Sequence, residues 1–105
     1  MNIQKMMQQA QAMQSKVQAE LEALQIEASS GGELVKVRMS GTRELLSVWI
    51  DPSVVDGTDD ESRKESAQTI QDLVLAASRE ASRRVDEAVQ KKTSSLLGGM
   101  MPGMR

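Results

Sequence analysis

A chain of 105 residues with a net charge of −2 is long enough for one domain, and its only aromatic residue is Trp49, so any core must be aliphatic and Met-based. With no Cys and no His, disulfides, zinc sites, thiolate nucleophiles and imidazole bases are all excluded. No apolar run approaches the ~20 residues of a membrane span, and Met1-Asn2-Ile3-Gln4-Lys5 carries no apolar signal region; the chain reads as soluble and cytoplasmic.

The first predicted element is a helix over about 3–24. Ile3, Met6, Ala10, Met13, Val17, Leu21 and Leu24 follow steps of three and four, which place them on one stripe. The opposite face is mostly Gln (Gln4, Gln8, Gln9, Gln11, Gln14, Gln18) with Lys5, Lys16, Glu20 and Glu22, and no Pro or Gly interrupts it. A block at about 25–51 then alternates with period two. Ser29-Ser30-Gly31-Gly32 and Ser40-Gly41-Thr42 are its turn signals. Val35, Val37 and Met39 share one strand face, Leu46, Val48 and Ile50 share a face of the next strand, and a short strand around 26–28 completes a three-stranded antiparallel meander. A slip of one residue would bury Lys36 and Arg38, so the register is fixed.

Asp51-Pro52 predicts a capped helical turn over 52–55. Gly57-Thr58-Asp59-Asp60 breaks it, and Asp59, Asp60 and Glu61 open a second long helix, where the helix dipole favours acids. That helix, over about 62–92, carries Ile70, Leu73, Val74, Ala77, Ala81, Val85, Ala88 and Val89 on one stripe. Ala76, Ala77, Ala81 and Ala88 are small enough to let another helix approach closely. The segment 93–105, rich in Ser, Gly and Met and containing Pro102, reads as a flexible tail. The fold class is therefore α+β, one domain over 1–92 followed by the tail. The middle block is too small to bury both helical runs, so much of their length must pack on a second copy or a large ligand. This layout points to an interaction protein and not to an enzyme.

Charge is unevenly placed. Segment 51–61 holds five acids and no base, leaving thirteen bases against ten acids elsewhere. Segment 62–92 has seven bases (Arg63, Lys64, Arg79, Arg83, Arg84, Lys91, Lys92) against five acids. Bases spaced like Arg79 and Arg83, one helical turn apart, can follow phosphates and gain affinity by counterion release. The simpler reading is a solvated helix face with internal pairs such as Glu80–Arg84 or Glu87–Lys91.

Other clusters read blandly. Asp56, Asp59, Asp60 and Glu61 lack the spacing of a calcium loop and suit a solvated capping loop. Gly31-Gly32 has no following Lys-Ser/Thr and is a hairpin turn, not a phosphate loop. No nucleophile is paired with a base, and no metal or cofactor is expected. Met6, Met7 and Met13 suit core or dimer contacts, with an adaptable binding groove as the other reading. Trp49 alternates with Val48 and Ile50 and so points away from the apolar strand face, either as a partly exposed residue or as an interface anchor.

Glu33-Leu34-Val35-Lys36-Val37-Arg38-Met39-Ser40-Gly41, followed by Val48-Trp49-Ile50-Asp51-Pro52-Ser53-Val54-Val55, resembles the YbaB/EbfC family of bacterial nucleoid-associated proteins. So do Asp72-Leu73-Val74-Leu75-Ala76-Ala77 and Ala81-Ser82-Arg83-Arg84-Val85, together with the Gln/Met-rich first helix. The resemblance implies a homodimer whose strands build a central platform from which long helices project like tweezers. It implies binding of double-stranded DNA with weak sequence preference, in nucleoid organisation or gene regulation, and a possible link to a recombination-mediator protein. By position, Arg83 and Arg84 match the family's Arg-Arg pair, and Lys91 and Lys92 fall in its basic helix end. With Arg79, and with Lys5 and Lys16 as the first helix's only bases, these are the expected phosphate contacts. Trp49 departs from the family, where that position is usually polar, and the first helix is slightly acidic.

The lack of aromatics argues against single-strand binding on stacking platforms, and no helix offers a convincing set of base-reading residues, so shape and phosphate contacts should dominate. The alternative is a protein-interaction adaptor that grips a protein partner through the Gln/Met helix.

Overall fold

The computed structural model describes the backbone of residues 2–100 and the side chains of residues 2–95. The order of elements is helix α1 (Ile3–Ala23), strands β1 (Gln25–Ser30), β2 (Val35–Ser40) and β3 (Leu45–Ile50), a single 3-10 turn (Pro52–Val54), and helix α2 (Asp60–Met100). The sheet is an antiparallel meander in the order β1-β2-β3. Hairpin β1–β2 turns through Gly31 (φ +62), Gly32 (φ +67) and Glu33 (φ 75). The left-handed backbone at Gly31 is what calls for Gly there, and a Cβ would also lie 2.7 Å from a Leu73 methyl, which would have to shift.

One side of the sheet is covered by the central part of α2. Val35, Val37 and Met39 from β2 and Ala28 from β1 pack on Ala77, Ala81 and Val85, with Ile26, Ile50, Leu73, Val74 and Val89 around them. The alanines bring helix and strands close enough for valines to fill the gap, which is how a core without aromatics closes. Ser30 Oγ donates to the Leu73 carbonyl at 2.6 Å and fixes the start of this contact. Buried Ser66 links the loop to the helix, accepting from Asp56 N–H at 2.7 Å and donating to the Val54 carbonyl at 3.1 Å. Asp59 caps α2 by accepting from Ser62 N–H at 2.7 Å.

Helix α1 has no buried residue. Its first turn is capped by Asn2, which accepts from Lys5 N–H at 3.2 Å. Its end is fastened by Gly41, whose N–H donates to the carbonyls of Leu21 (2.9 Å) and Leu24 (3.1 Å). Gly41 is buried there, and a Cβ would fall 2.5 Å from the Leu21 oxygen. Met13, Val17, Leu21 and Leu24 are half-buried, while Ile3, Met6 and Met7 are exposed. Lys92 of α2 reaches Glu20 of α1, so the far part of α2 runs beside α1 and the two form an arm. The molecule measures 73 × 27 × 15 Å with a radius of gyration of 20.2 Å, well above the ~13 Å of a compact chain of about 100 residues.

Two details differ from the sequence reading. Helix α2 starts at Asp60 and continues past Lys92 to Met100, because 93–97 (Thr-Ser-Ser-Leu-Leu) contains no breaker before Gly98-Gly99. The proposed tail therefore begins as helix, and its last residues, 101–105, lie outside the described residues. In β3, a bulge opposite Arg38 and Met39 pairs Met39 with Leu45, so Leu46 drops out of the ladder. Strand β3 is also exposed on both faces except at Ile50, because α2 covers β1 and β2 but stops short of it.

Candidate nucleic-acid interface

The basic residues of α2 fan around the helix instead of sharing one face. Residues one apart on a helix diverge by about 100°, and Arg83 and Arg84 do so here. Arg84 turns to the β1 side, where Nη1 donates to the Glu27 carbonyl at 3.0 Å and Nε to Glu80 Oε1 at 3.0 Å. Arg83 stays outward, forked by Glu80 (Nη2–Oε1 2.6 Å, Nε–Oε2 3.1 Å), with Nη1 on Glu87 Oε1 at 2.5 Å. Hydrogen bonds from Arg83 and then Arg84 hold the Glu80 carboxyl down at about 2, and the same contacts raise the Arg83 guanidinium above its ordinary value. The internal pair Glu80–Arg84 is thus present, whereas Glu87 pairs with Arg83 and not with Lys91.

Arg79, Lys91, Lys5 and Lys16 are exposed and make no ion pair among the described residues. Lys92 differs: its ammonium lies 3.2 Å from Glu20 Oε2, an oxygen buried at the α1–α2 seam and without an aligned hydrogen bond. The expected contacts therefore divide. Arg79, Lys91, Lys5 and Lys16 are open to a ligand, Arg83 is exposed but held by two carboxylates, and Arg84 and Lys92 act between elements of the chain itself.

The β3 side of α2 carries a different surface. Arg43, at φ 68, reaches from the β2–β3 turn to Asp86 and donates to Ser82 Oγ at 2.6 Å, which turns that flank of the helix toward β3. Leu45, Leu46 and Val48 of β3 and Leu75 of α2 remain 42–49% exposed. On the opposite face of the sheet, Trp49 pairs across strands with Lys36, whose ammonium sits 5.4 Å from the ring centre. Sequence patterning placed Trp49 on this face but missed its basic neighbours as a group. The signal was there, since Lys36 and Arg38 are two apart on one strand and Ser47 and Trp49 two apart on the next.

The acid-rich loop is occupied with capping. Asp56 accepts from Thr58 N–H at 3.2 Å and Asp51 from Ser53 N–H at 2.8 Å. Such bonds lower the carboxyls of Asp51 and Asp59 below the ordinary range. Among the described residues, no helix is long and apolar enough to cross a membrane.

A meander backed by one helix, with a second helix completing a protruding arm, defines a small α+β protein that exposes basic residues on both long helices. The sequence model of the YbaB/EbfC DNA-binding family matches residues 1–100. The chain is 44% identical over 108 residues to a nucleoid-associated protein of Clostridium novyi, spanning 99% of this chain and 89% of that relative. It is 44% identical over 110 residues to a nucleoid-associated protein of Thermobifida fusca, spanning 99% and 92%. The chain belongs to the YbaB/EbfC DNA-binding family. In fold it is similar to an uncharacterized protein from Helicobacter pylori whose crystal structure aligns with a TM-score of 0.68 at 21% identity, covering 93% of this chain and 99% of the other.

Proposed function

We propose that this chain works as a non-enzymatic homodimer that grips double-stranded DNA through phosphate contacts, with weak sequence preference, and that it resides on the nucleoid in the cytoplasm. The observation that carries the DNA reading is the exposed bases of the two long helices: Lys91, Lys5 and Lys16 along the projecting arm, and Arg79 and Arg83 on the part of α2 that crosses the sheet. These are point charges without a base-reading constellation, and such a surface follows the backbone of a duplex. Few charges per chain suffice when a two-fold axis doubles them. The dimer reading rests on Leu45, Leu46, Val48 and Leu75, an apolar flank beside the free edge of β3. The other sheet edge, β1, already has its Glu27 carbonyl bound by Arg84. Pairing through β3 would supply the burial that one chain lacks. A role with a recombination mediator rests on family resemblance alone.

Fluorescence anisotropy of a labelled random-sequence duplex at two salt concentrations tests the DNA reading. Saturable binding should weaken steeply with added salt. An Arg79→Glu/Lys91→Glu variant should bind more weakly, and neutralising one phosphate contact should flatten the log–log salt slope by roughly 0.9. No binding at low salt would favour the second reading, an adaptor for a protein partner, for which exposed Ile3, Met6 and Met7 on α1 are the supporting observation.

A further inference from the structure

The face of the sheet turned away from α2 is not an ordinary polar strand surface. Two cross-strand rows meet there. In one, Ser29, Lys36 and Trp49 stand side by side; in the other, Glu27, Arg38 and Ser47. Trp49 is 47% exposed, and the Lys36 ammonium lies 5.4 Å from the centre of its ring. Arg38 is solvent-facing, with Glu27 Oε2 3.8 Å away, a loose pair that a stronger anion can displace. Glu27, Lys36, Arg38, Ser47 and Trp49 line one shallow depression.

We propose that this face is a subsite for an unpaired nucleotide, with the base stacked on Trp49 and its flanking phosphates held by Lys36 and Arg38. The chemistry follows from the placement. A single aromatic residue rules out a platform for several bases but leaves room for one: every base presents a π-face to an exposed indole, so stacking there is tolerant of sequence. Open antiparallel sheets with aromatics on the solvent face take single strands in this way, because the splayed strand lies flat across the pleat. Lys36 and Arg38 are two residues apart on β2, about 7 Å along the strand, a spacing that successive phosphates of an extended strand match. Ser47, opposite Arg38, offers a hydroxyl beside the same position. A duplex cannot stack on Trp49, since its bases are paired inside and only its phosphates are presented. The inference therefore stands apart from the arm and from the apolar flank at Leu45 and Val48, which lies on the other face.

Because Trp49 is the only aromatic residue, its emission reports on this site alone. The full chain is titrated with a short oligothymidylate, with oligouridylate, and with a blunt duplex. Saturable quenching by one or both single strands, and little change with duplex, is the expected result; the stronger of the two single strands tells DNA from RNA as the source. In anisotropy, Trp49→Leu should lower oligonucleotide affinity roughly tenfold, a typical loss for one stacked base, while duplex affinity stays unchanged. Arg38→Gln, which keeps the ring, should weaken the same binding and steepen no other property. Circular dichroism of both variants confirms folding. The proposal is overturned if single strands leave the emission unchanged or if duplex quenches as strongly. Loss of duplex binding in Arg79→Glu/Lys91→Glu with quenching intact would separate a failure of the arm from a failure of this site.

Discussion

Gly41 shows how much a single position decides. It carries no unusual dihedral requirement, yet its N–H closes the end of α1 on two carbonyls and its missing Cβ makes room for Leu21. A Gly41→Ala variant should lose about 1–3 kcal/mol, the cost of forcing atoms into a packed contact, read as a lower urea midpoint with an unchanged m-value. Arg83 and Arg84, adjacent in sequence, should separate in the same assays. Arg84→Ala removes a cap from the β1 edge as well as a Glu80 contact, whereas Arg83→Ala removes only exposed pairs within α2 and also lowers duplex affinity. The carboxyl that holds both has a folded value near 2 against an ordinary 4.5. Its depressed value means that its contribution is complete above 4.5 and is lost as pH falls from there to about 2. A Glu80→Gln variant should therefore show a shallower loss of stability in acid titrations over that window.

At the scale of elements, most of the architecture is legible in the sequence because local signals agree. The three-and-four stepping of α1, the alternation of Val35, Val37 and Met39, and the Asp51-Pro52 cap each describe the element that forms. The β3 bulge was not legible. Leu45 and Leu46 are alike, and only the pairing with Met39 decides which of them continues the ladder. The far end of α2 was not legible either, because Ser94 and Ser95 read as tail when neighbouring glycines are weighed with them. For the interface, patterning found the bases but not their partners. The contacts Arg84–Glu27, Lys92–Glu20 and Arg43–Asp86 join residues far apart in sequence, and periodicity is silent about those. Strand β3 carries the element-scale prediction: light scattering of the parent should give the mass of the proposed dimer, and Leu45→Lys/Val48→Lys should give that of a monomer with the circular dichroism of the parent.

For the whole molecule, the elongated shape separates what folds from what grips. Among the described residues, the buried hydrophobic side chains all lie where α2 crosses the sheet, and none lies in α1. Hydrogen exchange should therefore show slow amides in β2 and in α2 around Ala77–Val85, and fast ones along α1 and beyond Lys92 in α2. Uniform protection along α2 would contradict this division. A bound duplex should slow exchange along α1 and the outer part of α2, where the amides of the free chain are fast.

The two helices of the arm are rooted differently. Helix α2 is one continuous rod that lies across the sheet and then leaves it, so bending its outer half pulls directly on Ala81 and Val85 against the valines of β2. Helix α1 is held by the Gly41 latch, the Glu20–Lys92 pair and one half-buried stripe. A load wedged against the arm meets a beam on one side and a spring on the other. The direction in which the arm points is set by α2, and the play around that direction is set by α1.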